Sequence, residues 1–329
     1  MALVTFGEAM VRLTPPGFQR LEQTRSFDAY VGGAELNVAV AAARLGTASR
    51  WVSRLPDNPL GRMIANRARE HGVDPHIAWT TDDRAGLYFA ELGAAPRATS
   101  VLYDRAASAM SRIAPGTIDW PSAFRGARWL HLSGITPALS KSAATATAEA
   151  LIEAKRAQLI VSYDLNYRRK LWGAEEARAV QEPLMEYVDV LITTEEDTRV
   201  VLGVSATESH DPEACEEIAA TLAGKFDLSA VVVTLPVTLH NPWTAVVAAE
   251  GKTYRAPRYE IDVIDRFGAG DAFCAGLIVS RLENRAWDDT VRFAAALSAL
   301  KHTIPGDFCL VTRGEVEQLV RGTSRHVSR

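Results

Sequence analysis

The chain is short of cysteine, of long apolar runs and of any charge imbalance, and each shortage removes a class of function. Its three cysteines, Cys215, Cys274 and Cys309, are odd in number, far apart and without C-x-x-C spacing. That excludes a disulfide framework and a cysteine zinc site, and leaves three buried thiols as the expectation. None of the seven histidines falls into H-x-x-x-H or H-E-x-x-H spacing, so no dedicated metal cage is expected. No apolar run approaches the length of a membrane span, and Met1 to Phe6 carries no basic leader-like start. No membrane partner and a cytoplasmic location are therefore expected. The 36 basic residues against 40 acidic give a net charge of -4, so no basic field recruits nucleic acid. Small molecules remain as partners.

What is present is an alternation of strand-like and helix-like stretches. At 329 residues the chain has room for one large α/β domain or two smaller ones. Leu3 to Phe6 reads as a short strand broken at Gly7, with Glu8 at the strand end where open α/β sheets bind ligands. A polar segment with Pro15 and Pro16 follows, and then a Gly pair leads into an Ala-rich helix closed by Gly46. Gly32 and Gly33 either let backbone approach a ligand or make a tight turn. Asn37, one turn in, either presents its amide to a hydroxyl or is a polar residue on a helix face. The glycines lack G-x-G-x-x-G spacing, which argues against a dinucleotide site.

Arg50 to Leu55, Leu60 to His71 and Pro75 to Thr80 read as strand, helix and strand. The rhythm then breaks. Gly86 to Leu92 and Thr99 to Arg105 read as a hairpin that leaves the main sheet and, with the polar segment of about 11–30, builds a small lid. Period-two alternation places Val101, Tyr103 and Arg105 on one face of its second strand, and Tyr88 on one face of the first. These residues either converge on a ligand or are ordinary strand residues with an edge charge.

After Arg105 the α/β rhythm returns. Asp164, Asn166 and Arg168 leave the end of the strand Leu159 to Tyr163. An arginine there suits a carboxylate or phosphate, although Arg168, Arg169 and Lys170 also read as a solvated charge run. In T-T-E-E-D, Glu195, Glu196 and Asp197 suit a helix N-terminus, and Glu196 or Asp197 is the candidate for holding magnesium through water. The strand Ala230 to Thr234 is continuously apolar, as a sheet interior requires. Near the C-terminus, D-R-F-G-A-G-D runs from Asp265 to Asp271. Gly268, Ala269 and Gly270 at the start of a helix offer backbone N–H groups to an anion, where the helix dipole favours negative charge. Asp271 in the first turn either caps the helix or takes a proton from a substrate hydroxyl while those amides hold phosphoryl oxygens.

Gly32, Gly33, Asn37 and Gly46 in one stretch, and Asp265, Gly268, Ala269, Gly270 and Asp271 in another, resemble the two signatures of the ribokinase-like (PfkB) carbohydrate kinases, in the right order. Within that family the chain is similar to 2-keto-3-deoxygluconate kinases. The likeness rests on G-E-A-M-V-R-L at Gly7, R-A-G-L-Y-F at Arg84, Y-D-R-A-A-S-A at Tyr103, D-L-N-Y-R at Asp164 and A-L-K-H-T-I-P-G-D at Ala299. The resemblance implies one three-layer α/β domain over 1–329, with a central mostly parallel sheet and a small β-strand lid from about 11–30 and 84–107. It implies that Gly33, Tyr88, Tyr103, Arg105 and Arg168 contact a sugar acid, with Gly32 and Asn37 beside them and Asp271 as general base. ATP, with Mg²⁺, falls against Asn166, Thr234, Gly268, Gly270, and Lys301 and His302 before the loop that follows.

A site for an acid needs a cation that a neutral-sugar site does not, and Arg105 and Arg168 are placed to supply one. Three residues depart from the family pattern. Thr194 replaces an Asn ahead of the acidic residues, Pro236 replaces a Gly, and Arg266 with Phe267 replaces a Thr pair, which leaves a bound K⁺ an open point. The expected reaction is phosphorylation of 2-keto-3-deoxygluconate at its terminal C6 hydroxyl. The rivals are kinases for fructose, ribose or 5-dehydro-2-deoxygluconate, and a silent sugar or nucleotide sensor on the same fold. Exposed strand edges on the lid fit either a homodimer through paired lids or edges managed within a monomer.

Overall fold

A computed structural model describes residues 1–206, 212–235 and 244–322. Pro236 lies outside the described residues. From the N-terminus run β1 (Leu3–Phe6), β2 (Met10–Thr14), β3 (Asp28–Gly32), α1 (Ala34–Arg44), β4 (Ser49–Pro56), α2 (Pro59–Glu70) and β5 (Asp74–Thr80). The hairpin β6 (Gly86–Glu91) and β7 (Ser100–Asp104) follows, then α3 (Trp120–Ala123), β8 (Trp129–Ser133), α4 (Ile135–Ala138), α5 (Lys141–Arg156) and β9 (Ile160–Asp164). Next come α6 (Ala174–Leu184), β10 (Val190–Thr194), α7 (Glu195–Asp197), α8 (Pro212–Phe226) and β11 (Ala230–Leu235). The described chain closes with β12 (Thr244–Ala249), β13 (Lys252–Arg255), α9 (Ala269–Leu282), α10 (Trp287–Lys301) and α11 (Arg313–Val320).

Nine strands form the main sheet in the order β13-β12-β11-β10-β9-β8-β1-β4-β5. Pairing is parallel from β11 to β5, and β12 and β13 add an antiparallel edge. Strand alternation assigns residues to two faces. Leu191, Val231 and Val233 join one core with α5, α6 and α8, whereas Val190, Ile192 and Val232 join the other with α1, α9 and α10. Helix starts follow local chemistry. The Ser140 hydroxyl accepts the Ala143 N–H at 3.1 Å ahead of α5, and Thr312 and Glu315 close a capping box on α11. No described helix is long and apolar enough to cross a membrane.

A second sheet stands apart, with four strands in the order β3-β2-β6-β7. β2 runs antiparallel to β3 and parallel to β6, and β6 pairs with β7 so that Tyr88 lies opposite Tyr103. The polar segment expected to build a lid with the hairpin supplies two of these strands, β2 and β3. β2, M-V-R-L-T, is buried at four of its five positions, Arg12 included. Its apolar pattern is interrupted by an arginine whose charge is matched only by residues distant in sequence.

Candidate active site

The junction into α9 is shaped by Gly268, which takes φ 77° and whose missing Cβ would lie 1.9 Å from the Asp307 carbonyl oxygen. Only glycine meets both conditions. The helical ladder starts with the Ala272 N–H donating to the Gly268 carbonyl at 2.9 Å. The N–H groups of Gly270 and Asp271 precede it and meet no acceptor among the described residues. No atom lies within 4 Å of where a Gly270 Cβ would be, so this turn is open to the cleft. Ala269 departs from the expected cradle: it is buried, and its N–H turns back to the Arg266 carbonyl at 3.4 Å because of the left-handed turn at Gly268.

Asp271 projects from this turn into a cleft of about 1720 Å³. The Asn37 side-chain amide donates to Asp271 Oδ2 at 2.6 Å. Asn37 is therefore committed to the carboxylate rather than free for a hydroxyl. It is placed by α1, which starts at Gly33, where a Cβ would lie 2.0 Å from the Glu8 carbonyl oxygen. Burial pushes the Asp271 carboxyl up to about 6, against the Asn37 hydrogen bond and the Arg168 charge, which both pull it down. A carboxylate with that value is ionised at neutral pH yet basic enough to accept a proton.

Gly32, Gly33, Tyr88, Tyr103, Arg105 and Arg168 all line the cleft. The Tyr88 and Tyr103 rings lie 5.8 Å apart, but the Tyr88 hydroxyl is bonded to Asp307 and so is not free for a ligand. Arg105 lines the cleft already paired: its Nε donates to Glu8 Oε2 at 2.9 Å, with Nη2 on the same oxygen. The Ser108 hydroxyl takes the other Glu8 oxygen. Glu8 stood out in the sequence only by its position at a strand end. Arg168, by contrast, is exposed on the cleft wall; its carbonyl accepts the Leu171 N–H at 2.8 Å, and its side chain makes no hydrogen bond or ion pair with a described residue.

Farther along the cleft are Asn166, Thr234, Glu196 and Asp197. Asn166 takes the left-handed φ of 39° and donates to Asp164 Oδ2 at 3.0 Å. The Thr234 hydroxyl donates to the Thr193 carbonyl at 3.2 Å, and Thr194 caps α7 by accepting the Asp197 N–H at 3.1 Å. Burial and the neighbouring carboxylates Asp271 and Asp197 push Asp164 up to about 8. Burial also raises Asp197, to about 6, against the charge of Arg168. Among the described residues no group of three or more His, Cys, Asp and Glu is placed to hold a metal by itself.

Lys301 and His302, expected beside the nucleotide, do not line the cleft. Lys301 is fully buried, with Nζ donating to the Ile304 carbonyl at 3.0 Å. His302 Nδ1 lies 2.8 Å from the Ser298 carbonyl. The last turn of α10 directs both inward, where they brace the loop to Asp307. Residues that sequence reasoning missed include Glu35, which accepts the Ser133 N–H at 3.0 Å and hydroxyl at 2.6 Å. Burial pushes its carboxyl up to about 7. Arg12 was also missed, lying 2.9 Å from Asp265 and 3.0 Å from Asp307.

Comparison with known proteins gives the same picture. The sequence pattern of the pfkB family carbohydrate kinases matches residues 2–307. A 2-dehydro-3-deoxygalactonokinase of Haloferax volcanii is 41% identical over 327 residues, covering 99% of each chain. A 2-dehydro-3-deoxygluconokinase of Thermoproteus tenax is 32% identical, with 98% of this chain and 94% of that one covered. The crystal structure of a 2-dehydro-3-deoxygluconokinase from Thermotoga maritima superposes with a TM-score of 0.95 at 44% identity, covering 98% of both chains.

Proposed function

The chain belongs to the pfkB family of carbohydrate kinases, and from that premise we propose that it transfers the γ-phosphoryl group of ATP to the terminal C6 hydroxyl of 2-keto-3-deoxygluconate. The observation that carries the reading is Asp271, held by Asn37 at 2.6 Å, at the open first turn of α9 in a cleft it shares with Arg168. Asp271 takes the hydroxyl proton, and the Gly270 and Asp271 N–H groups face the charge that develops on the phosphoryl oxygens. Arg168 receives the sugar carboxylate. Arg105, oriented by Glu8, and the Tyr103 ring complete that end.

The cleft volume exceeds the usual ~300–1,000 Å³ of a one-ligand site, as two substrates require. Asn166 and Thr234 line the nucleotide end. The oxygen-only donors Asp197 and Glu196 suit Mg²⁺, which keeps several waters and takes one or two carboxylates beside substrate phosphates. Held beside them, Mg²⁺ would neutralise charge on the ATP phosphates. The second sheet acts as a lid that keeps water from the sugar end.

A second reading keeps the site and changes one stereocentre: the galactonate-derived epimer, favoured by the Haloferax volcanii relative. The test is ATP-dependent phosphorylation across both ketodeoxy acids, 5-dehydro-2-deoxygluconate, fructose and ribose. Preference for a ketodeoxy acid is expected. Preference for a neutral sugar would remove the carboxylate role of Arg168, and nucleotide binding with no turnover on any sugar would make the chain a sensor.

A further inference from the structure

Arg12 comes from the second sheet, yet its guanidinium is spent on the main domain. The side chain is fully buried. Nη2 lies 2.9 Å from Asp265 Oδ2, Nη1 donates to Asp307 Oδ2 at 3.0 Å, and Nε donates to Thr14 at 2.8 Å. The Phe267 ring lies 4.3 Å from the guanidinium carbon and the Tyr30 ring 5.1 Å. Both carboxylates frame the phosphoryl-transfer loop. Asp265 opens D-R-F-G-A-G-D and accepts the N–H groups of Phe267 and Gly306, each at 3.0 Å. Asp307 presses its carbonyl against Gly268 and accepts the Tyr88 hydroxyl.

We propose that Arg12 is the fixed cation of this loop, a positioning residue that holds Gly268 to Asp271 in shape and takes the place of any bound monovalent ion. Two buried carboxylates so close together cannot both stay ionised without positive charge between them. Arg12 supplies that charge through one contact to each carboxylate, and the Thr14 hydroxyl fixes its third nitrogen. Buried Lys301 packs beside Gly268 and is committed to the Ile304 carbonyl, so Arg12 is the cation in contact with both carboxylates. The K⁺ left open by the family resemblance finds no unmatched carboxylate here, so the residues present do not fit it. The arrangement has a second consequence: β2 neighbours β6, so the wall that carries Tyr88 at the sugar end is tied through Arg12 to the loop at the phosphoryl end.

The kinetic arms of the test rest on the kinase reading above, and the binding arm does not. The wild-type protein is assayed in potassium, sodium and tetramethylammonium buffers of equal ionic strength. Turnover equal within about twofold is expected, since a covalently supplied cation leaves no linked ion site. A tenfold gain in potassium would overturn the proposal. Calorimetric ATP affinity without sugar should likewise be the same in all three salts, and a potassium-dependent affinity counts against it even if no sugar turns over.

Arg12→Ala should lower kcat by about 10²–10³, the size of losing one anion-stabilising group, with KM for the sugar little changed. Millimolar guanidinium should restore at least about tenfold of that loss and do nothing for Asp271→Asn. An unchanged kcat, or a folded variant that guanidinium does not rescue, contradicts the assignment. Should Arg12→Ala fail to fold, Arg12→Lys and the wild-type salt series decide it.

Discussion

β11 and β7 are both short strands with apolar centres, yet Val231, Val232 and Val233 are fully buried whereas Leu102 and Tyr103 stand 59% and 38% exposed. The main sheet is covered by helices on both faces, so each valine contributes to one core or the other. The second sheet is covered unevenly: Val11 and Val31 join an apolar core with α1, α2 and β4, Arg12 and Tyr88 add polar links, and β7 is left as an exposed edge. Stability and selectivity are thereby separated. Apolar burial holds the platform and the turn that bears Asp271, while the edge strand β7 and the segment after it supply side chains to the ligand with little of the core behind them.

This division can be broken at several points. Asp271→Asn removes the proton acceptor while keeping its shape, and kcat should fall by about two to four orders of magnitude with the thermal midpoint nearly unchanged, as read by kinetics and calorimetry. Leu191→Ala, at the centre of the main sheet, should cost about 2–5 kcal/mol of unfolding free energy in urea titration and leave kcat close to wild type. Arg168→Met should lower kcat/KM for a ketodeoxy acid by about 10–100-fold, as expected for losing hydrogen bonds to a charged group, and change neutral-sugar turnover far less. The pH profile is a smaller effect. With the Asp271 carboxyl raised to about 6, its base form is present above that value, so kcat/KM should rise through pH 6 and level off above it. A profile flat from pH 5 to 8 would assign the proton transfer elsewhere. Least of all, Leu102→Ala on the open face of β7 should shift stability by no more than about 0.5 kcal/mol.

The same contrast explains what was legible in the sequence. β11 could be read because burial on both faces leaves a short continuous apolar run in the sequence. The turn at Gly268 to Asp271 could be read because a left-handed glycine and a first-turn acid leave a local signature. β2 could not, since Arg12 breaks its apolar run and its partners Asp265 and Asp307 are near only in space. Arg105 was read as a cation for a ligand for a similar reason: Glu8, which pairs with it, lies far away in the sequence. Lys301 had the chemistry of a phosphate contact, but the last turn of α10 directs it inward. Residue type was visible in these cases and direction was not. Glu35, buried in the first turn of α1, gave no sign of its bond to Ser133.

The separation of recognition from chemistry is tested most directly by calorimetric titration of the Asp271→Asn variant with 2-keto-3-deoxygluconate in the presence of a non-hydrolysable ATP analogue. The account predicts a Kd within about threefold of wild type, because the carboxylate acts in the transition state and the other side chains of the cleft do the binding. Loss of sugar binding in parallel with loss of turnover would contradict it, and would make Asp271 a recognition group rather than the base.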